Sequence, residues 1–230
     1  MERPPGIVPA LLAAMVLLAA CGSDAASVSD PDSAEATPPS LAAAVVAHYD
    51  EPLVAASALL PDEFEELLSE DTLAVELAFD RPEGDNTHVR VIVSPDDPFA
   101  GDEHEFPDCS VFECEDISTG EVEATLLYEN GSPEEDPGLV AAIADQGDHV
   151  VFVRAYGPFV PLERDDLEQD AEVMALGDAV GDIATDPAVG FRTSAAYASG
   201  GEGICAGDDW LDWFGQGNGY PRPDDYVDYC

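Results

Sequence analysis

The side chains able to do chemistry in this chain are four histidines, five cysteines and 50 acidic residues. His48, His88, His104 and His149 are scattered, and none stands at a motif spacing from a nucleophile or a second metal ligand. The chain has no Gly-x-Ser-x-Gly elbow, phosphate-binding glycine loop, dinucleotide fingerprint, Cys-x-x-Cys pair or His-Glu-x-x-His helix. A hydrolase built on two carboxylates leaves no local signature, because among so many acids some pair always lies within reach. The densest acidic cluster is Asp96, Asp97, Asp102 and Glu103, followed by His104 and Glu105. Hard oxygen donors of this kind suit calcium, but the ligands and glycine of an EF-hand loop are not at their positions. A solvated acidic loop is expected there, with calcium as the one candidate ion and no other cofactor indicated.

Both tryptophans, Trp210 and Trp213, sit among Asp208, Asp209 and Asp212. Ring faces beside carboxylates are how sugar-binding surfaces are built, and also how a closed flap packs on a core. Trp210 and Trp213 are therefore the candidate ligand-binding pair, with packing as the simpler reading. The missing catalytic templates point to a non-catalytic binding or interaction module whose partner is an envelope protein or a glycan. The alternative is a secreted carboxylate-dependent hydrolase using calcium.

The cysteines speak to compartment. Cys109, Cys114, Cys205 and Cys230 make an even set whose spacing matches no zinc site, so disulfides are expected. Three pairings are open; Cys109–Cys114 as a local clip and Cys205–Cys230 as a C-terminal tie are favoured. The fifth, Cys21, ends the stretch Leu18-Ala19-Ala20-Cys21 behind an apolar run over residues 7–20. At about 1.5 Å per residue that run falls short of a hydrocarbon core of about 30 Å and fits the apolar region of an export signal. The stretch resembles the lipobox of bacterial lipoprotein precursors. That resemblance implies cleavage before Cys21, a diacylglyceryl group on its thiol, and a lipid-anchored chain facing outside the cytoplasm. Two or more acyl chains, at about 0.8 kcal/mol per buried CH₂, hold a protein on a bilayer where one does so only weakly. The segments 134–138, 156–158 and 186–194 also resemble hypothetical secreted actinobacterial lipoproteins, which implies a cell-envelope protein and assigns no functional residue.

Charge narrows the partners. The 50 acids face seven arginines and no lysine, giving a formal net charge of −43. Phosphate backbones and anionic lipid surfaces repel such a chain, so nucleic acid is excluded as a partner. A hydrated carboxylate surface accounts for acids spread along the chain, with cation collection as the sharper alternative.

The elements that must position these residues follow from periodicity. Residues 1–20 read as the signal, 21–39 as a flexible acidic tether, 40–199 as an α+β domain, and 200–230 as an aromatic, disulfide-closed tail packing on it. Ser40 is expected to cap a helix bearing Leu41, Val45, Val46 and Tyr49, with a helical turn over 53–60 and another helix over 61–68. Alternating segments 73–79 and 88–93, joined by the turn residues of 81–86, predict a hairpin with Val89, Val91 and Val93 inward. A loop over 94–120 leads to a strand over 122–128 and a short helix from Asp136-Pro137 to near Gly147. The apolar run Val150 to Val153 marks a central strand buried on both faces, within which Arg154 is expected to pair with an acid at the sheet margin. Helices over 164–184 and 193–199 complete the pattern. The resulting expectation is an antiparallel sheet of about four strands with helices mainly on one face.

Overall fold

The structure is a computed structural model that describes residues 33–59, 71–81, 86–99, 109, 112–120, 122–129, 139–156, 171–211 and 229–230. The expected signal, Cys21, the helix over 61–68, Asp102, Glu103, His104 and Trp213 lie outside them. Nine strands fall among the described residues: β1 (Ser33–Glu35), β2 (Leu53–Ala58), β3 (Leu73–Phe79), β4 (Thr87–Ser94), β5 (Glu113–Asp116), β6 (Glu123–Glu129), β7 (Leu139–Asp145), β8 (Val150–Tyr156) and β9 (Arg192–Ser194). Three helices accompany them: α1 (Pro38–His48), α2 (Ala171–Thr185) and α3 (Ala195–Cys205).

Seven strands form one antiparallel sheet in the order β2-β3-β4-β8-β7-β6-β5, and β1 pairs with β9 in a separate two-stranded ribbon. The expectation of about four strands is therefore corrected: the fold is richer in strand, with seven in the main sheet. The hairpin is β3–β4, and Val89, Val91 and Val93 do face the core. The missed strands share a composition. β2 reads LVAASA and β7 reads LVAAIAD. Their alanines carry helix propensity and no alternation, because β7 is covered on both faces: Val140, Ala142 and Ala144 pack in one apolar cluster, Leu139 and Ala141 in another. Tertiary burial overrode the local preference. β5 hides in the acidic loop because its sequence is ECED, an edge strand whose charges discourage further pairing.

Segment 33–39, expected to be tether, instead forms β1 and the start of α1. The cap of α1 is Thr37, not Ser40: Ser40 N–H donates to Thr37 Oγ1 at 3.3 Å while Thr37 N–H donates to Ser40 Oγ at 2.8 Å. Pro38 and Pro39 fill the first helical turn, where a missing N–H costs nothing. Leu41 to Val45 are all buried, because the helix lies between the sheet and α3. α2 crosses β6, β7 and β8 and turns Val173, Leu176, Val180 and Ile183 onto them, with Asp178 and Asp182 outward. One face of the sheet is thereby closed by helices.

Disulfides join Cys109 to Cys114 and Cys205 to Cys230, with Cα atoms 5.5 and 5.4 Å apart. α3 runs through residue 200, the expected start of the tail. Beyond α3, Trp210 sits against the edge of β2: Ala56 N–H donates to Asp209 O and Leu211 N–H donates to Ala56 O, both at 2.8 Å.

The α1–α3 contact depends on Gly201. A Cβ there would stand 2.6 Å from Pro39 C and Ser40 N, which are backbone atoms that cannot swing aside. Gly201→Ala would gain up to about 1 kcal/mol of helix propensity, yet overpacking costs about 1–3 kcal/mol. The overpacking term is expected to win, lowering the urea midpoint; an unchanged or raised midpoint would contradict this packing.

Candidate functional site

The second face of the sheet, away from the helices, carries charged residues at its centre. Their placement follows from register. One row of direct cross-strand partners runs Ser57, Glu76, Arg90, Arg154, Ala141, Leu127, Cys114 over all seven strands. His88 and Tyr156 are partners in the adjoining row. The face is thus divided along the strands: a polar half holds Ser57, Glu76, His88, Arg90, Arg154 and Tyr156, and an apolar half crosses the same β3, β4 and β8 through Ala74, Ile92 and Phe152 to Ala141 and Leu127. Phe99, Phe112 and Cys114 pack on the apolar half.

Glu76 is the hub, and at 3% exposure it is the one buried acid among the described residues. Arg90 donates to Oε2 from Nε at 2.9 Å and from Nη2 at 2.6 Å. On Oε1, the Tyr156 hydroxyl donates at 2.5 Å and His88 Nδ1 lies at 3.2 Å. A carboxylate offers about four acceptor positions, and all of them are taken. Burial works to raise the carboxyl's pKa, but the bond to His88, the Arg90 charge and the bonds from Tyr156 and Arg90 outweigh it and hold it below the ordinary glutamate value. The Tyr156 hydroxyl is pushed well above its usual value by burial and by the Glu76 charge it faces. Glu76 therefore stays ionised with its acceptor positions filled, and the tyrosine keeps its proton.

Arg154 departs from expectation. It stands on β8, the middle strand of seven, and not at a sheet margin. No acid pairs with it among the described residues; its direct neighbours are Arg90 on one side and Ala141 on the other. Its Nε is buried with no hydrogen-bond partner. Both guanidinium groups lie over the Tyr156 ring, Arg154 at 5.3 Å and Arg90 at 5.7 Å from the centroid. Like charges directly opposite each other in a sheet are unfavourable, and one carboxylate serves two arginines here.

The other residues singled out from sequence are dispersed. Each described histidine meets a carboxylate, but at a different place. His48 Nε2 lies 3.0 Å from Asp186 Oδ2, which also accepts from the Tyr197 hydroxyl at 2.7 Å, a clasp joining α1, α3 and the end of α2. His149 Nδ1 meets the exposed Asp148 at 2.7 Å. Of the candidate calcium ligands, Asp96 and Asp97 are exposed, and Asp97 Oδ1 accepts from Phe99 N–H in a local turn. No group of three ligating side chains with metal geometry occurs among the described residues. An open groove of about 800 Å³ does collect Asp97, Asp116, Glu123 and Asp145 beside Ser118 and Thr125. Trp210 is 8% exposed and belongs to the core cluster, so its ring offers no stacking face to a sugar.

No protein-family model matches the chain, and no curated protein matches it. A solved structure, the di-domain ARO/CYC StfQ from the steffimycin biosynthetic pathway, is similar at 16% identity and a TM-score of 0.23. The match covers 66% of this chain and 43% of that one, so the chain spans less than half of its length. At that score the likeness bears on neither fold nor site.

The hub sets a pH dependence. Because the folded pKa of Glu76 is depressed, the folded state binds fewer protons than the unfolded state across the carboxylate range, and stability rises with pH. Its contribution is present above the unfolded value of about 4.3 and is lost as pH falls through the lower folded value. Glu76→Gln is expected to be several kcal/mol less stable than wild type at pH 7, since breaking one partner of a buried pair costs about 3–5 kcal/mol. The difference should shrink on acidification to pH 3. Urea midpoints that differ equally at both pH values would contradict the assignment.

Proposed function

We propose that this chain is an exported lipoprotein, anchored through Cys21 to the outer side of a membrane, whose folded part is a non-catalytic binding module of the cell envelope. The observation that carries this reading is the pairing of the cysteines. The two disulfides use Cys109, Cys114, Cys205 and Cys230, which favours an oxidising compartment outside the cytoplasm. Of the five cysteines that leaves Cys21, directly behind the apolar run and in the lipobox-like stretch Leu18-Ala19-Ala20-Cys21. A thiol there is where a lipid would be attached, and two or more acyl chains would hold the domain on the bilayer. Among the described residues no helix is long and apolar enough to cross a membrane.

At the Glu76 hub the geometry supports binding over catalysis. Hydrolysis by carboxylates needs two acids in one cleft, one of them able to exchange a proton. Glu76 has its acceptor positions filled and its pKa lowered. A membrane-held domain of such negative charge would be kept off anionic lipid heads and presented to partners outside. An envelope protein or a glycan is the class of partner proposed.

Mass spectrometry and membrane fractionation of the expressed chain test the anchor. Wild type is expected in the membrane fraction, starting at Cys21 and carrying an added lipid mass. Cys21→Ser should lose that mass and no longer yield the lipidated product that starts at residue 21. If the substitution changes neither the mass of the product nor its fractionation, the lipoprotein reading is wrong.

A further inference from the structure

The unmatched charge at the centre of the second sheet face has a chemical consequence. Glu76, Arg90 and Arg154 form consecutive members of one cross-strand row, and the carboxylate is committed to Arg90, His88 and Tyr156. Arg154 therefore brings a second positive charge beside Arg90 with no acid to balance it among the described residues. Acids are abundant in this chain, at 50 against seven arginines. Its Nε proton is buried and makes no hydrogen bond. A buried donor left unsatisfied is costly, more so on a charged group. The Tyr156 ring beneath both arginines contributes cation–π attraction, but provides no oxygen acceptor for the N–H.

A second orphan lies in the same row. Ser57 is the partner of Glu76 on β2, and its hydroxyl is also buried without a hydrogen bond. The cluster is not sealed: Arg154 and Tyr156 are half-buried, and the His88 side chain is 31% exposed. Nε is screened from water, but part of the arginine reaches solvent, and an acceptor meeting that exposed part enters surroundings less polar than bulk water. The planar guanidinium fork matches the paired oxygens of carboxylate and phosphate groups.

We propose that Arg154, backed by Arg90, is an oxyanion-binding site, which holds the carboxylate or phosphate group of a small ligand against the polar half of the second sheet face. The ligand oxygen accepts from the Arg154 guanidinium, supplies the missing negative charge and relieves the repulsion between the two arginines. Glu76 positions Arg90 and takes no part in ligand contact. No bond is made or broken. The site is independent of the lipid anchor, so either can fail without the other.

The test uses the full chain in nonionic detergent, with inorganic phosphate, acetate and chloride compared at constant ionic strength, since a chain of this charge is stabilised by any salt. Calorimetric binding and thermal midpoints are read for wild type, Arg154→Gln, Arg154→Lys and Arg192→Gln, the last an exposed arginine on β9 away from the sheet face. Wild type and Arg192→Gln are expected to show saturable binding and a raised midpoint with phosphate or acetate and not with chloride; the tighter of the two identifies the head group. Arg154→Gln should abolish the response. Arg154→Lys keeps the charge without the fork and should bind at least tenfold more weakly, which decides the matter if the glutamine variant does not fold. The proposal is overturned if neither oxyanion exceeds chloride, or if the Arg154 variants bind as tightly as wild type.

Discussion

The ion pair between Glu76 and Arg90 constrains the rest of the sheet. Both charges lie mid-strand in a buried hairpin, and each carboxylate oxygen accepts two bonds, from Arg90 on one and from Tyr156 and His88 on the other. Such a pair need not add net stability, because removing two charges from water costs as much as their attraction returns. Its effect is on specificity. Side chains alternate faces along a strand, so a slip of one residue in β3 would turn Glu76 onto the helix-covered face, among Ala56, Ala58, Val89 and Val91 of the flanking strands. An unpaired carboxylate there would be costly enough to exclude the slipped register. The bond from Tyr156 on β8 extends the same constraint to the middle strand of the sheet.

The two faces divide their roles accordingly. The helical face is a continuous apolar cluster from β2 to β6, closed by α1 and α2 with α3 packed behind α1 through Gly201. The other face holds polar chemistry on one half and a small apolar cluster on the other. The acids give a surface that repels anions, while the Glu76–Arg90–Arg154 row carries one positive charge in excess on the sheet. A ligand with an anionic group would bind through shape and close contact, since the long-range field works against its approach.

Parts of this were legible in the sequence. The β3–β4 hairpin followed from alternation and turn residues, β8 from its run of consecutive valines and phenylalanine, and the sulfur pairing from spacing and an even count. β2 and β7 were not legible, because alanines that fill a thin gap between packed layers look helical when their neighbours are unknown. The site was partly within reach: the hairpin register alone places Glu76 across from Arg90, two charges interrupting apolar strands on one face. Tyr156 and Arg154 arrive from 80 and 64 residues further along, through a β4–β8 pairing that no local pattern announces. Trp210 carries both readings in sequence, since an aromatic beside carboxylates suits a binding surface or a packed flap, and it serves as core, the simpler of the two.

A double-mutant cycle on Glu76→Gln and Arg90→Met, followed by urea unfolding at pH 7, tests the central role of the pair most directly. Each single change strands a buried partner, whereas the double change removes both charges. The double variant is expected to lose far less stability than the two single losses added together, with a coupling of at least about 2 kcal/mol. Losses that add to within about 0.5 kcal/mol would show that the two residues do not depend on each other, and the register they are held to fix would need another cause.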